Sequence, residues 1–591
     1  MSLFDEASLI ITPNAYKEGK IFAIKPTDGS GDLSVVRATT ATDVNSAGLI
    51  EDTPYNLLQR SEEFSNAIWN KTGSTITANA TIAPNGTLTA DKSVLTNGID
   101  PLSPSGAGLA QNQTIPSGVY IYSIFAKAGE RNIIRWRDGG FSGNYLVVNL
   151  LDGTFTNGEP TRFVNPQVIP YDNGWYRIIF TTGTITNPSV YPLRFGTTGQ
   201  IGDGVSGGFV WGAQIVTGSS ARDYFPTTDR LNVPRLDYTN STCPSILVEP
   251  QRTNLVLRSE EFDNASWVKN GTTISSNTNI SPSGIQNADK IVENNLLGIH
   301  IVQQVLTLVV GTTYSVSCFL KAGERNRGRI RVLGSSAQEI EFNLQNGTST
   351  GGFVQDFGNG WYRIGFTFVA NAISSSIIIF LSDSTTGNSG FNYTYTGNGT
   401  SGFFAWGCQL ELGSNATSYI PTVASTVTRN ADVISKTGIS DLIGQTEGTV
   451  FVEFNLSTVG GPSGSGIIEI SPLGGGDSET NRVLIWKNTG SKQILFQIRA
   501  GSTTNIFNFV FSAPPDGKVK VGIAYKSGDT ILSVNGSIVA RSETFNFSQT
   551  LNFIKLGSYS STNIVINDTI NQCLLFKTRL SNAELIQLTT L

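Results

Sequence analysis

QRSEEFSNAIW runs from Gln59 to Trp69, and LRSEEFDNASW runs from Leu257 to Trp267. Eight of the eleven positions are identical at an offset of 198 residues. An isolated recurrence would mark a short motif, whereas one that continues at a nearly constant offset marks a duplicated domain. It continues. TADKSV around Asp91 returns as NADKIV around Asp289, and AKAGERN (Ala126–Asn132) returns as LKAGERN (Leu320–Asn326). DNGWYRIIF returns as GNGWYRIGF, with Trp175 matching Trp361, and FVWGAQ returns as FAWGCQ, with Trp211 matching Trp406. DYFPT and SYIPT close the two copies at Pro226 and Pro421. The drift of the offset between 186 and 198 places loops of unequal length. The repeated unit is a domain of about 170 residues.

Each copy reads as strands. In TYSVSCFLKA, Tyr314, Val316, Cys318 and Leu320 alternate with Ser315, Ser317 and Phe319, and the sister copy puts Tyr120, Tyr122, Ile124 and Ala126 on the matching face. This is the period-two pattern of a sheet packed on a core. In the GWYRI strands, Tyr176, Ile178 and Phe180 face one way and Trp175, Arg177 and Ile179 the other. Apolar groups on both faces suit a two-layer sandwich. Gly- and Asn-rich turns separate the strands, and KAGERN is expected to form a hairpin turn. From Thr446 onward the pattern changes to short alternating strands, with Val534-Asn535-Gly536 as a hairpin signal. A terminal helix is expected from Ser581, with Glu584 completing a capping box. Domain limits fall at 1–53, 54–226, 227–422 (a linker hairpin and the second copy), 423–445 (a linker) and 446–591.

With 591 residues the chain exceeds what one core supports. Charged residues make up 14%, below the roughly 25% of typical soluble domains. The formal net charge of −5 offers no basic stripe, so nucleic acid is not an expected partner. The start MSLFDEASLIITPN lacks the positive beginning and long apolar core of a secretory signal. The longest apolar run, from Leu296 to Val310, is broken by His300, Gln303 and Gln304, so no membrane span is expected either. The chain is therefore expected to be soluble and made in the cytoplasm. Cys243, Cys318, Cys408 and Cys573 have spacings that fit neither a zinc site nor a dense disulfide framework and are expected to be buried free thiols.

RATTATDVNSAGLIE (37–51), PRLDYTNSTCPSILVEPQRTNLVLRSEEF (234–262) and WGCQLELGSNATSYIPT (406–422) resemble the recurrent modules of tailed-bacteriophage tail-fibre and head-fibre proteins. In those proteins jelly rolls similar to carbohydrate-binding modules follow an N-terminal anchor. KVKVGIAYKSGDTILSVNGSIVA and INQCLLFKTRLSNAELIQL resemble the concanavalin-like or laminin-G-like lectin fold. The resemblance implies an all-β chain: two tandem jelly-roll β-sandwiches, a concanavalin/laminin-G-like β-sandwich, and a short extended N-terminal segment that attaches the protein to other virion proteins. It also implies a virion location, on head or tail, and a homo-oligomer, with a trimer favoured. A structural calcium is a further implication, and Glu411 is the candidate ligand; the first copy carries Val216 at that position.

No catalytic residue is assigned. The single histidine, His300, stands without a Ser or Asp arrangement and is expected to be a satisfied, half-buried imidazole. The carboxylate pairs Glu62-Glu63 and Glu260-Glu261 are adjacent, and neighbours on a strand point to opposite faces, which does not suit glycoside hydrolysis. Should hydrolysis occur, Glu453 and Glu469 are the first carboxylates of the last domain to test. Sugars stack on flat rings and bind amides and charged groups through their hydroxyls. Trp175 with Arg177, and Trp361 with Arg363, are therefore the candidate glycan-binding residues; the alternative is that each Trp plugs its sandwich and the Arg caps it. The function expected is structural and adhesive, with host-surface glycans as partners and without enzymatic activity. The alternatives are a bacterial glycan-binding surface protein and a polysaccharide-degrading enzyme.

Overall fold

A computed structural model of the chain describes residues 2–591 except 101–107, 113, 116–117, 138–144, 198, 218–220, 240, 334–337, 384–393, 457–463, 473–479, 489–492, 502–508, 513–516 and 560–563. It is built almost wholly of antiparallel strands. It divides into two compact units: one formed by Asp52–Arg230 with Gly284–Gln286, the other by the remainder of the chain.

The first unit holds the first repeat as two six-stranded sheets. One runs in the order Phe163–Tyr171, Trp175–Thr182, Ile121–Lys127, Gly207–Val216, Ala90–Leu95, Ser74–Thr81. The second repeat, within the other unit, has the same order in Phe353–Asp356, Trp361–Val369, Thr313–Lys321, Gly402–Leu412, Gln286–Glu293, Thr272–Ile280. Both copies break register at the same place, between Ser123 and Phe125 and between Ser317 and Phe319. Opposite these breaks stand Gly212 and Gly407, at φ of 60° and 61°. A Cβ on Gly407 would lie 2.9 Å from the Phe319 ring. The WG pair is therefore a β-bulge that only glycine fits.

KAGERN does not turn a hairpin. Ile121–Lys127 and Ile133–Arg137 belong to opposite sheets of the first sandwich, as Thr313–Lys321 and Arg327–Leu333 do in the second, so the motif is the corner where the chain crosses between layers. Arg131 makes the corner rigid by donating to the carbonyls of Gln200, Ile201 and Ser206.

The C-terminal sandwich is assembled from three stretches of chain. Leu9–Lys17 pairs with Asp568–Phe576 in the register Leu9↔Leu575 and Ile11↔Cys573. Leu33–Val36 pairs with Val433–Thr437, and Ser245–Val248 with Asp568–Phe576. One hydrophobic core takes Leu9, Ile11, Ile21 and Val35 from the first stretch and Ile246 and Val248 from the second, and packs them on Val452, Phe454, Ile468 and Leu575. The N-terminal segment, expected to attach the protein to other virion proteins, takes its order from strands of its own chain more than 500 residues away, because alternate apolar residues such as Leu9 and Ile11 complete a core that the last domain leaves open. Residues 423–445, expected to be a linker, likewise contribute a sheet strand. The terminal helix Asn582–Thr589 forms behind Ser581 with both capping-box bonds to Glu584, and Asn535 and Gly536 turn their hairpin at positive φ. No helix among the described residues is long and apolar enough to cross a membrane.

Cys318, Cys408 and Cys573 are buried, whereas Cys243 is exposed. Cys243 lies in the turn after Ser241, whose hydroxyl accepts its N–H, and not on a core-facing strand. Burial pushes the Cys573 thiol up to about 12 and that of Cys318 upward as well. A native-state thiol assay is therefore expected to label one cysteine per chain quickly and the other three only after unfolding. Ile11→Ala, which opens a cavity in the joint core, should cost about 2–5 kcal/mol. Urea unfolding monitored separately for the two units should place that loss in the unit holding the C-terminal sandwich.

Candidate functional site

The strings that recur in both copies are consumed by the fold. Asp91 accepts from the N–H groups of Phe64 and Asn79, and Asp289 from those of Phe262 and Asn277, so the Asp of ADK caps the turn made by RSEEF. The following Lys pairs with the Glu of KAGERN: Lys92 with Glu130 at 2.8 Å and Lys290 with Glu324 at 2.7 Å. The carboxylate pairs are spent in the same way. Glu63 bridges to Arg60 and Glu261 to Arg258, while Glu62 bonds to Tyr224 and Glu260 accepts from the Tyr419 hydroxyl at 3.1 Å. Glu453 holds Lys518 and Gln572, and Glu469 is fully buried. His300 is completely buried, not half-buried, and each ring nitrogen lies within hydrogen-bond distance of a backbone carbonyl, of Gly271 or Tyr395.

Trp175 and Trp361 form no sugar platform. They are 1% and 2% exposed, and each indole N–H donates to a backbone carbonyl, of Ile82 or Ile280. Each packs in a small aromatic cluster, Trp361 with Phe319, Trp406 and Tyr419. Their arginines are buried too: Arg177 donates to Ser123 and to the Arg222 carbonyl, Arg363 to Ser317 at 3.2 Å and to the Thr417 carbonyl at 2.7 Å. Glu411 is equally committed. Its oxygens accept from Gln409 at 2.7 Å, the Thr417 N–H at 2.8 Å and the Thr417 hydroxyl at 2.6 Å, with Arg252 at 3.8 Å. These are donors rather than further oxygen ligands, and among the described residues no three His, Cys, Asp or Glu side chains group to hold a metal ion.

Five buried charges tie the three chain passes together. Asp432 accepts from Arg37 at 2.7 Å and from Arg235, while Glu249 accepts from Arg235 at 2.6 Å and forms an ion pair with Arg429 at 2.7 Å. None of the five is more than 4% exposed. Burial by itself would raise both carboxyls; the guanidiniums outweigh it, Arg429 and Arg235 at Glu249, Arg235 and Arg37 at Asp432, and hold both below the usual carboxylate range. The arginines recur along the sequence, each 8 to 11 residues after the proline of a Pro-Thr pair: Pro26-Thr27 before Arg37, Pro226-Thr227 before Arg235, Pro421-Thr422 before Arg429. That spacing is the signal by which the cluster could have been found.

Above the cluster opens a cleft of about 680 Å³. One wall is the outer face of the second jelly roll, with Phe357, Arg363 and the Thr417–Tyr419 segment that Glu411 braces. The C-terminal sandwich contributes Asn455, Lys518, Asn567 and Asp568 to the lining, and Asp43, Asp237 and Glu249 line it as well. Arg363 is thus the one predicted site residue that reaches the cleft. Its Nη2 has no hydrogen-bond partner among the described residues, and its guanidinium lies 5.3 Å from the Phe319 ring centre. Of the aromatics that line the cleft, Phe319, Phe357 and Tyr419, only Phe357 is half-buried rather than buried; it lies four residues ahead of Trp361 and is held edge-on to Phe319 at 4.9 Å and 80°. Sequence reasoning chose the wrong ring because alternation identifies a face, and this face is covered along the strand and open only at its end.

No family model matches the chain, and no curated protein does. Among solved structures it is similar to the CBM40 of the Ruminococcus gnavus IT-sialidase bound to α2,6 sialyllactose, at 13% identity over 26% of this chain and 91% of that one, TM-score 0.22. It is similar also to the N-terminal CBM22-1–CBM22-2 tandem domain of Paenibacillus barcinonensis Xyn10C, at 14% identity over 64% and 100%, TM-score 0.19. Domains LG4-5 of the mouse laminin α1 chain match at 12% identity over 48% and 86%, TM-score 0.17.

Two carboxyl environments give opposite pH limbs. Burial raises Asp289 from 3.8 to about 6, so its contribution to stability is complete below 3.8 and lost as pH rises through about 6. The lowered Asp432 and Glu249 act in the other sense, contributing above the unfolded carboxylate range and failing as pH falls through their folded values. Melting temperature followed against pH should lose its neutral-side decline in Asp289→Asn. Asp432→Asn, which takes the ion-pair partner from Arg37 and leaves Arg235 only Glu249, should cost about 3–5 kcal/mol at pH 7.

Proposed function

We propose that the protein is a structural component of a tailed-bacteriophage particle, a head or tail fibre or decoration, that attaches to host-surface glycans and does not cleave them. The cleft carries this reading. It places an aromatic ring beside a guanidinium with an uncommitted N–H and beside side-chain amides, the groups by which proteins hold sugar rings. The carboxylates around it are tied to cations, hydroxyls or backbone N–H groups, which suits binding better than acid–base work. The virion role is supported by the fibre-like strings at 37–51, 234–262 and 406–422. Several copies on a particle, as a trimer or another homo-oligomer, would convert a shallow site into firm attachment through effective concentration. Contact with other virion proteins is proposed through the part of the N-terminal segment that the sandwich leaves uncovered, where Phe4 is 51% and Ile24 47% exposed.

Mass spectrometry of purified virions should find the chain as a particle component. The pure protein should bind on a glycan array while leaving host capsule polysaccharide at constant chain length. Reducing ends that accumulate during the incubation would replace the adhesive reading by an enzymatic one, with Glu453 and Glu469 the first carboxylates to substitute.

A further inference from the structure

The geometry points to a neutral, hydroxyl-rich saccharide as the ligand of the cleft, and not an acidic sugar; this rests on the glycan-binding reading above. Four carboxylates line the cleft, Asp43, Asp237, Glu249 and Asp568, against two cations, Arg363 and Lys518. Lys518 is drawn away by Glu453 at 3.0 Å. Glu249 is matched from below by Arg235 and Arg429, and Asp568 by buried Lys487. Asp43 and Asp237 accept from the Leu236 N–H and the Thr239 hydroxyl, and Arg363 is the one lining cation without a carboxylate at ion-pair distance among the described residues, so carboxylates still outnumber cations and the lining offers no net positive charge to a sugar carboxylate or sulfate. An anionic ligand would give up its hydration to face carboxylates in a confined space.

What remains uncommitted suits a hydroxyl. Among the described residues, Arg363 Nη2 is a donor without an acceptor and Asn567 Oδ1 an acceptor without a donor. One sugar hydroxyl can accept from the first and another can donate to the second, whereas a carboxylate can serve only the first. Phe357 supplies the flat apolar surface for the C–H face of a ring, and Phe319 fixes its orientation. The volume, about 680 Å³, lies within the roughly 300–1,000 Å³ of small-molecule pockets, so a short run of sugar units fits. The first jelly roll repeats the aromatic part alone: Tyr171, four residues ahead of Trp175, is 44% exposed and edge-on to Phe125 at 5.0 Å.

The test uses the full chain on an array holding neutral, sialylated and sulfated glycans, followed by titration of the best binder at ~20 mM and ~500 mM NaCl, a span over which screening removes most charge attraction. Neutral glycans should be bound, with an affinity unchanged by salt. Phe357→Ala should weaken binding about tenfold. Asn567→Ala, a substitution at a half-buried loop position, should weaken it as well. Preference for acidic glycans, or affinity that falls with salt, would overturn the neutral-ligand assignment and leave glycan binding standing. Binding of neutral glycans that neither substitution disturbs would overturn the location. No glycan bound by the intact protein would overturn both this inference and the reading on which it rests.

Discussion

Five buried charged groups, Arg37, Arg235, Arg429, Glu249 and Asp432, decide how this chain is put together. Taking such groups out of water costs several kcal/mol each, and only a complete set of partners offsets that. No single pass of the chain holds a complete set. Arg37 arrives with the first pass, Arg235 and Glu249 with the second, Arg429 and Asp432 with the third. Without the second pass Arg429 would lose its carboxylate, and without the third Arg37 would lose its own, so the cluster acts against assemblies that lack either of these passes.

The apolar core makes the same demand without charge. The C-terminal sandwich supplies most of a core and leaves a gap that Leu9, Ile11 and Ile21 fill from the first pass and Ile246 and Val248 from the second. Read as connectivity, each jelly roll is an insertion that leaves this core and returns to it. The bond from the Asn232 N–H to the Arg37 carbonyl, and that from the Arg37 N–H to the Asn232 side chain, pin the two ends of the first insertion together. The cleft is a product of this layout, since its walls belong to an insertion and to the core from which it emerges.

The duplication, the strand faces and the terminal helix were legible in the sequence, because each is a local pattern: a constant offset, a period of two, a capping box. Cys318 and Cys408 stand in the core of the second copy, where FVWGAQ and the matching strand of the first copy put Ala213 and Ile124. The N-terminal strands were harder to place, since LIITPNAYK carries no mark of the partner it will meet beyond residue 570. KAGERN has the composition of a turn, and composition does not distinguish a turn within one sheet from a corner between two. The repeated Trp and Arg were conspicuous because they recur, yet recurrence marked what holds the sandwich together. The residues that make the cleft come from separate stretches, and most have no counterpart in the other copy; Phe357 has one only in the altered form of Tyr171.

The pairing of Leu9–Lys17 with Asp568–Phe576 also sets a clock. On the ribosome, the first strand must wait for nearly the whole chain, which at about 5–20 residues per second means roughly half a minute to two minutes. Throughout that interval Leu9, Ile10 and Ile11 lie on an unpaired strand edge, the kind of surface that invites pairing with a neighbouring nascent chain. The two jelly rolls, whose contacts lie within their own stretches, can close in the meantime. The last strand of the C-terminal sandwich then both completes the core and withdraws the exposed edge, so that maturation depends on a single late event.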